Sequence, residues 1–403
     1  MKPHVALVVQ RYGPEVNGGA EDAARWLAEA LTAVAHIDVI TTCALDYTTW
    51  ANHYPAGQSH HKGVTIHRFP VDTPRNWQQS QKETGRLLLS ARTLDEEIAW
   101  IRQQGPFSTP LLQFIKQQAE AYDAFIFVTY LYATTFFGLP LVANKSILIP
   151  AAHDEPFIYM DAYRALLNMP RHIVYLTEAE RDLTLRVAGN GHIPHHVMAI
   201  GVKTVGDISP ARFRQKYGIQ GDFLLYAGRI SEAKNIPELC AFFQRYRREY
   251  PRPLKLVLMG KSQLTLPPDS DIVPVGFVSN QDKFDALSAA TLFVLPSLFE
   301  SLSIVILEAW LAGTAVVVNS RCDVTRRQCQ RSQGGLYYSS YNEFAAVLTR
   351  LLADERLRRQ LGQNGRLFVQ QHYTSDHILL HYQTLLQQFI SVPFPSAQNK
   401  GKH

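Results

Sequence analysis

The sequence predicts an α/β protein made of two doubly wound domains. Strand-like and helix-like patterns alternate along almost the whole chain, which is typical of parallel sheets covered by helices on both faces. The alternation comes in two series, separated by residues 199–221, with a linker predicted near 199–206. At 403 residues the chain also exceeds the size at which a single hydrophobic core stops growing.

The first series opens with a strand, a Gly-containing loop and a helix of regular apolar spacing. Its predicted elements are, in order, VALVVQ (5–10), EDAARWLAEALTAV (21–34), IDVITTCA (37–44), GVTIHRFPV (63–71), LLQFIKQQAEAY (111–122), AFIFVTY (124–130) and SILIPAA (146–152). The run at 171–189 repeats the strand–turn–helix unit. Thr177 and Glu180 are predicted to form a capping box at the start of its helix.

The second series again alternates strand-like and helix-like segments. Its predicted elements are DFLLYAGR (222–229), a helix from Asn235, LKLVLMG (254–260), SDIVPVGF (270–277), DKFDALSAA (282–290), TLFVLPS (291–297), LSIVILEAWLAG (302–313) and TAVVVNS (314–320). Amphipathic helical segments follow at 343–371 and 375–389. We therefore predict an N-terminal domain at 1–200, a C-terminal domain at 207–372, a helix at 373–390 that packs back on the first domain, and a disordered tail at 391–403.

Two segments of the first domain allow more than one interpretation. Residues 124–143 carry no charge, and 20 such residues are long enough to cross a bilayer. Their Thr and aromatic content, with Gly138-Leu-Pro140, favours a buried strand and helix over membrane contact. Residues 71–110 are polar and irregular in pattern, so they are expected to be an insertion near the site or a partner surface.

Composition places the chain among ordinary globular proteins. Hydrophobic residues make up 46% and charged residues 19%, and the formal net charge is +5. This mild excess of positive charge fits an anionic substrate or an anionic membrane surface and does not require nucleic acid. The chain opens directly with a strand, so no signal peptide is expected. The four cysteines, none in a CxxC or at zinc spacing, predict a reduced, cytosolic setting: Cys43, Cys240, Cys322 and Cys329.

Glu300 and Glu308 bracket the most informative segment, FESLSIVILE. One carboxylate is predicted at a strand-to-helix turn and the other about two helical turns further on, about 12 Å away at 1.5 Å per residue. That is wider than the roughly 5–9.5 Å between the acid and base of a glycoside hydrolase. It suits the two ends of an extended ligand whose anionic middle lies at a helix N-terminus. A nucleotide-sugar is such a ligand.

A second cluster follows the strand DFLLYA. Gly228 and Arg229 come at its end, and Lys234 lies just before a helix that Asn235 and Glu238 are predicted to begin. Two cations beside a helix N-terminus suit a diphosphate. A solvated loop with two ordinary cations is the alternative.

Two loops of the first domain carry further candidates. Gly13, Gly18 and Gly19 lie between the first strand and helix, where glycines let backbone N–H groups approach a ligand, although a plain tight turn is the alternative. His153 follows the strand SILIP and is predicted to contact a sugar, with structural capping or metal binding as alternatives. The pairs His60-His61 and His195-His196 are predicted to be surface residues in polar loops.

Taken in order, these motifs resemble a known family. GGAE in the first loop, HDEP after the mid-domain strand, GR with a lysine five residues on, and E-x7-E after LPS are together similar to the family-4 retaining glycosyltransferases of the GT-B fold. The resemblance covers about residues 4–390. It implies two Rossmann-like domains facing across a cleft, the first on the acceptor side and the second on the nucleotide-sugar donor side.

The resemblance also implies roles for single residues. Glu300 would hold the hydroxyls of the donor sugar and Glu308 those of the nucleotide ribose, while Arg229 and Lys234 would neutralise the leaving diphosphate. Gly18 and Gly19 would line the cleft against the phosphates, and His153 would contact the donor sugar. The remaining donor-binding residues implied are Gly228, Ser301, Leu302 and Ser303.

The chain departs from the family's commonest motif, E-G-F-G, because Ser301 and Ser303 replace both glycines. Their hydroxyls can cap the helix or reach the phosphate. Because a serine has a side chain where the motif has glycine, the substitution puts in question how closely the backbone approaches the sugar. The segment QGGLYY (333–338) is similar to the family's late Gly-containing stretch.

The function predicted is that of a hexosyltransferase-type enzyme that moves a sugar from a nucleoside diphosphate to a hydroxyl acceptor with retained configuration. A glycan, a lipid-linked glycan or a small molecule would be the acceptor, in polysaccharide or glycolipid biosynthesis, and the location would be cytoplasmic with possible peripheral membrane contact. No Asp-x-Asp motif occurs in a suitable loop, so metal independence and no cofactor are predicted. A nucleotide-sugar epimerase and a non-catalytic nucleotide-sugar binding relative are the alternatives.

Overall fold

The structure, a computed structural model, describes residues 2–16, 18–202 and 204–392. The chain divides into two compact units: unit 1 contains residues 1–200 and 376–403, and unit 2 contains residues 201–375. The predicted domains were 1–200 and 207–372, with the helix at 373–390 assigned to the first. Most of the tail predicted to be disordered, from residue 393 onward, lies outside the described residues.

Each unit is built on one sheet. The strands of unit 1 are β1 (His4–Val8), β2 (His36–Thr42), β3 (Gly57–His61), β4 (Val64–Phe69), β5 (Ala124–Val128), β6 (Ser146–Ile149), β7 (His172–Tyr175) and β8 (His195–Val197). Those of unit 2 are β9 (Asp222–Ala227), β10 (Leu254–Met259), β11 (Ile272–Gly276), β12 (Leu292–Leu295), β13 (Val316–Asn319) and β14 (Gly335–Tyr338).

Helices connect most of the strands. They are α1 (Gly19–Leu31), α2 (Trp77–Leu89), α3 (Leu94–Gln104), α4 (Thr109–Gln117), α5 (Ala133–Gly138), α6 (Asp161–Leu166), α7 (Glu178–Ala188), α8 (Pro210–Tyr217), α9 (Ile236–Glu249), α10 (Asn280–Ala289), α11 (Ile304–Leu311), α12 (Asp323–Ser332), α13 (Tyr341–Ala353), α14 (Glu355–His372) and α15 (Ser375–Ser391). Short 3₁₀ segments occur at Ala119–Ala121, Leu139–Lys145, Pro156–Tyr159 and Glu232–Lys234.

Both sheets are doubly wound, as predicted. The strand order is β3-β4-β2-β1-β5-β6-β7-β8 in unit 1 and β11-β10-β9-β12-β13-β14 in unit 2. The pairs are parallel except that β3 runs antiparallel to β4 at one edge. The winding direction reverses between β1 and β5, and again between β9 and β12. In open α/β sheets, ligands bind outside the carboxyl ends of the strands at these switch points.

The central strands are apolar along their whole length because helices cover both faces of each sheet. Every residue of β5, β6, β7, β12 and β13 is buried. Burial at both faces explains why these strands appear in the sequence as continuous apolar runs without alternation.

The uncharged segment 124–143 is a buried strand followed by short helices, which confirms the favoured interpretation. β5 is followed by α5 and by the 3₁₀ turn at Leu139–Lys145. Among the described residues, no helix is both long and apolar enough to span a membrane.

Three local expectations were wrong. Residues 71–110 are not irregular, because they contain α2 and α3, and α3 buries Trp100 and Ile101. His60-His61 and His195-His196 are exposed or partly exposed, as predicted for surface residues, but they lie on the edge strands β3 and β8 and not in loops. Polar edge strands lack the apolar run that marks a buried strand, so the sequence pattern resembles that of a loop.

Candidate functional site

The switch point of unit 2 brings the main candidate residues together. Gly228 and Arg229 are exposed directly after β9, and Glu300 is partly buried in the turn between β12 and α11. Because β9 and β12 are neighbouring parallel strands, both turns lie at the same edge of the sheet.

Lys234 and Glu300 form an ion pair across this edge. The Lys234 Nζ donates to Glu300 Oε1 at 2.6 Å, and the two side chains are 30% and 13% exposed. A charge-assisted hydrogen bond of this length in a partly buried place is stronger than an exposed surface pair. The lysine predicted to face a diphosphate therefore also touches the carboxylate predicted to hold the sugar.

Glu308 has its own lysine, which the sequence analysis missed. The Lys283 Nζ, on α10, donates to Glu308 Oε1 at 2.5 Å, and the side chains are 26% and 12% exposed. The only sequence signal was a lysine in the helix that follows β11, and exposed helix faces commonly carry lysines. Each carboxylate of the E-x7-E motif is thus held by a cation from another element.

The start of α11 carries an unusual serine. Ser303 occupies the N-cap in the left-handed region, with φ 57 and ψ 75, and is 7% exposed. Its side chain does not cap the helix, which excludes one of the two roles considered for it, and its buried Oγ has no hydrogen-bond partner among the described residues. Left-handed backbone is costly for a residue with a Cβ, and so is a buried hydroxyl without a partner.

The two residues before Ser303 differ in burial. Ser301 is half-buried, while Leu302 is buried and its carbonyl accepts a 2.5 Å hydrogen bond from the Gln328 side chain. Leu302 therefore ties the turn to α12 through its backbone, and its side chain belongs to the core.

A polar network holds the turn after β12 to the start of α9. The helix begins at Ile236, next to the predicted Asn235, but Asn235 has φ 59 and its side chain does not cap the helix. Its Nδ2 donates instead to Glu238 Oε1 at 2.7 Å and to the carbonyl of Pro296 at 3.2 Å. Arg321 binds both Glu238 carboxylate oxygens, at 2.5 and 2.6 Å. These bonds position the segment that leads to Glu300.

Gly228 is required by close packing of the strand ends. Its φ is 153, and a Cβ at this position would lie 2.7 Å from Tyr226 Oη. A Cβ on Gly260, at the end of β10, would lie 1.9 Å from the Gly228 carbonyl oxygen. Tyr226 Oη also donates to the Arg229 carbonyl at 2.7 Å, which fixes the turn that carries Arg229.

In unit 1, Gly18 and Gly19 begin α1 and have different surroundings. A Cβ on Gly18 would lie 2.2 Å from Glu21 Oε2, whereas a Cβ on Gly19 would meet nothing within 4 Å. Glu21 is buried and accepts from Arg11 Nε at 3.0 Å and from Gln10 Nε2 at 2.8 Å. Gly18 thus leaves room for a buried ion pair, and only Gly19 has open space beside it.

His153 follows β6 and is partly exposed. Its Nδ1 lies 3.7 Å from Glu155 Oε1, which accepts a 3.0 Å hydrogen bond from the Tyr130 hydroxyl. Tyr130 follows β5, so the acid beside His153 is held by the neighbouring strand end. Within the described ranges no group of three or more His, Cys, Asp or Glu side chains could hold a metal ion.

Glu180 is a second residue that the sequence analysis missed. Thr177 accepts from the Glu180 N–H at 3.2 Å and its own N–H is hydrogen-bonded to the Glu180 carboxylate, so both halves of the predicted capping box are present, and that carboxylate is fully buried. Its oxygens accept from the N–H groups of Ala152 at 2.7 Å and Leu176 at 2.6 Å. Burial raises the pKa of Glu180 to about 7. Nothing in the sequence separates this glutamate from an ordinary capping residue.

Comparison with known proteins shows which fold this architecture belongs to. Residues 211–368, most of unit 2, match the family model "Glycosyl transferases group 1". The fold matches sucrose-phosphate synthase from Thermosynechococcus elongatus, with a TM-score of 0.72 and 19% identity over 96% of this chain and 99% of that one. The chain has the GT-B glycosyltransferase fold. The match to the group 1 family model is confined to the second unit, and the assignment to family 4 stays a prediction.

Other similar proteins agree with this assignment of the fold. The Anabaena protein HepE, in complex with UDP-glucose, has a TM-score of 0.70 and 14% identity over 96% of this chain and all of that one. WaaG, a glycosyltransferase involved in lipopolysaccharide biosynthesis, has a TM-score of 0.64 and 15% identity over 95% of this chain and 99% of that one. An uncharacterized glycosyltransferase of Methanocaldococcus jannaschii is 28% identical over 178 residues, which is 41% of this chain and 45% of that relative.

Proposed function

We propose that this protein is a retaining glycosyltransferase that moves a sugar from a nucleoside diphosphate to a hydroxyl acceptor. The observation that carries the proposal is the arrangement at the switch point of unit 2. Glu300 and Glu308, before and within the first turns of α11, are each bonded to a lysine from another element. Partly buried carboxylates suit the hydroxyls of a sugar and a ribose, and the helix N-terminus suits the phosphates between them.

The donor is held, in this proposal, by the residues of the unit 2 edge. Glu300 accepts from hydroxyls of the donor sugar, and Glu308 from the ribose. Lys234, which already touches Glu300 at 2.6 Å, lies where a cation can bind the phosphate next to the sugar. Arg229, exposed after β9, supplies the second cation. The family match supports these roles because residues 211–368 include all four side chains.

The proposed reaction balances without a second carboxylate. The bond between the anomeric carbon and the phosphate oxygen breaks, and the acceptor oxygen forms its bond to the same face of that carbon. The acceptor proton passes to the departing phosphate oxygen, so the products are a glycoside and the nucleoside diphosphate. Arg229 and Lys234 stabilise the charge that develops on the leaving phosphate. This charge balance supports metal independence, which we also propose, with no cofactor.

The substrate class is inferred from the neighbours. HepE is described with UDP-glucose, and the trehalose-6-phosphate synthase of E. coli with UDP-2-fluoro glucose, which supports a UDP-hexose as the first donor to test. WaaG is described as acting in lipopolysaccharide biosynthesis, which supports a glycan or lipid-linked acceptor in polysaccharide or glycolipid biosynthesis. A cytoplasmic protein with peripheral membrane contact fits the four free, buried cysteines and the net charge of +5.

The test begins with a donor screen. Thermal shifts are measured with UDP-, GDP-, ADP- and dTDP-sugars, and the preferred nucleotide should raise the melting temperature by mass action. Glu308→Gln should lose that shift, whereas Glu355→Gln, which changes an exposed ion pair with Arg359 on α14, should keep it. A screen in which no nucleotide stabilises the protein would contradict the proposal.

Product analysis then separates the alternatives. A retaining transferase yields product only when an acceptor is present and keeps the anomeric configuration of the donor sugar. An epimerase converts the donor sugar without an acceptor, and a binding relative gives a thermal shift without turnover. Activity that EDTA abolishes and added divalent metal restores would contradict metal independence.

A further inference from the structure

Glu180 joins the ends of two neighbouring strands in unit 1. It lies in the first turn of α7, and its carboxylate is fully buried. One oxygen accepts from the N–H of Ala152, after β6, at 2.7 Å, and the other from the N–H of Leu176, after β7, at 2.6 Å. A buried carboxylate that uses both oxygens to hold backbone N–H groups determines the path of the two loops that it joins.

The loop that carries His153 begins with a residue in an uncommon backbone conformation. Ala151 has φ 49 and the facing Thr129 has φ 65, both in the left-handed region. Such conformations persist only where surrounding contacts hold them, and they cluster at functional sites. The Thr129 N–H donates to Ile149 at 2.8 Å, and the Ala152 N–H donates to Glu180. Glu180 therefore holds the residue between the strained Ala151 and His153.

Protonation changes the number of hydrogen bonds that the Glu180 carboxyl group can accept. An ionised carboxylate accepts at both oxygens, whereas a protonated one has one carbonyl oxygen and one hydroxyl, which is a donor and a poor acceptor. The hydroxyl of a protonated Glu180 would face a backbone N–H, so the bond to Ala152 or to Leu176 must lengthen.

We propose that Glu180 is a positioning residue that holds the His153 loop when ionised and releases it when protonated. The sugar contact that the family resemblance predicts for His153 would then weaken as the pH falls below neutral. This second step rests on the proposed function, whereas the first concerns the loop alone.

The surroundings of Glu180 set the pH range. Burial raises its pKa to about 7, opposed by the backbone N–H groups that it binds and by the nearby His153. The other titratable groups that face it are Tyr175 on β7 and Tyr382 on α15. Burial raises the pKa of both phenols, so they stay neutral through the range in which Glu180 titrates.

The experiment compares the full-length protein with Glu180→Gln and with a matched control, Glu97→Gln. Glu97 is also buried and also accepts from a backbone N–H, that of Ala162 at 2.8 Å, but it pairs with Arg92. Amide ¹H shifts of Ala152 and Leu176 are followed by NMR from pH 5.5 to 9. We expect both to titrate with a common midpoint near 7 in the wild type and in Glu97→Gln, and to stay flat in Glu180→Gln.

The second measurement is the KM for the donor over the same pH range. One pH unit below the midpoint about nine-tenths of Glu180 is protonated, so the wild-type KM should rise by up to about tenfold by pH 6. Glu97→Gln should show the same rise, and Glu180→Gln should have a raised KM that does not change with pH. Loss of folding alone would not produce this pattern.

The outcomes separate the two proposals. Amide shifts that do not titrate near neutral pH would overturn the loop switch, whatever the enzyme does. If the amide shifts titrate but the KM does not change with pH, the link between the loop and sugar binding is overturned. Turnover of the donor in that case still upholds the transferase function. A protein with titrating amides but no turnover on any donor upholds the loop switch and overturns the transferase function together with the link.

Discussion

Replacing Ser303 by glycine should make the free protein more stable and donor binding weaker. The residue adopts φ 57, where a side chain costs about 1–2 kcal/mol relative to glycine. Its buried Oγ has no partner among the described residues, which costs a further 1–3 kcal/mol or so. Glycine removes both costs and loses about 0.5–1 kcal/mol to the greater freedom of the unfolded chain. The expected gain is about 1–4 kcal/mol, and a unit of this size gains roughly 2–4 °C in Tm per kcal/mol.

The effect on binding has the opposite sign. If the hydroxyl donates to a donor phosphate, it makes a hydrogen bond to a charged group, which is worth about 1.5–3 kcal/mol. The side chain must turn about χ1 to reach the ligand because Oγ is covered in the free protein. Loss of this bond corresponds to about a 10- to 100-fold higher Kd. We expect such opposite effects of a ligand-binding residue: it lowers the stability of the free protein and raises the affinity for the ligand.

Calorimetric titration and thermal denaturation, with and without the preferred nucleoside diphosphate, measure both effects. Ser303→Ala separates them, because it keeps the unfavourable φ and removes only the hydroxyl. Ser375→Ala is the control, since it removes another buried hydroxyl without a partner, at the start of α15. Our reasoning is refuted if Ser303→Gly binds the nucleotide as tightly as the wild type, or if it lowers the Tm of the free protein.

Three further predictions concern ionisable groups. Lys283→Ala should leave Glu308 partly buried without its cation and weaken nucleotide binding about 5- to 10-fold, whereas Lys283→Arg should restore most of it; equal Kd values for all three proteins would contradict this. Because burial raises the pKa of Glu180 from 4.5 to about 7, the unfolding free energy of the wild type should fall by about 3 kcal/mol relative to Glu180→Gln as the pH rises through that window, measured by urea denaturation. Burial lowers the pKa of His172 from 6.5 to about 4, with His196 beside it, so its contribution to stability is present above pH 6.5 and is lost as the pH falls towards 4; a His172→Phe variant should lack this loss.

Part of the candidate site could be predicted because it depends on short stretches of chain. Glu300 and Glu308 are eight residues apart across one strand-to-helix turn, and Lys234 follows its strand by a single turn. In a doubly wound sheet, residues after parallel strands lie at one edge, so their meeting follows from the order of the elements. The structure accordingly places Lys234 against Glu300.

The remaining site residues are those that act through contacts between distant segments. Lys283 reaches Glu308 from the helix before β12, and the sequence pattern of a helix does not tell which lysine points to a neighbouring helix. Ser303 differs from a capping serine only in its φ angle and in the absence of a partner for its hydroxyl.

The sequence by itself determined the fold class, the two series of strands and the edge at which the E-x7-E carboxylates lie. These follow from the periodicity of apolar residues and from short-range spacing, which are local properties of a chain. Only the tertiary structure decided that each carboxylate has a lysine partner and that the capping Glu180 is fully buried and also binds the N–H groups of Ala152 and Leu176. Partner choice and burial depend on which distant atoms approach, and burial sets the free energy of a charge. For this reason the same residue type, Glu, is a partly buried ion-pair partner at position 300 and a fully buried support of two loops at position 180.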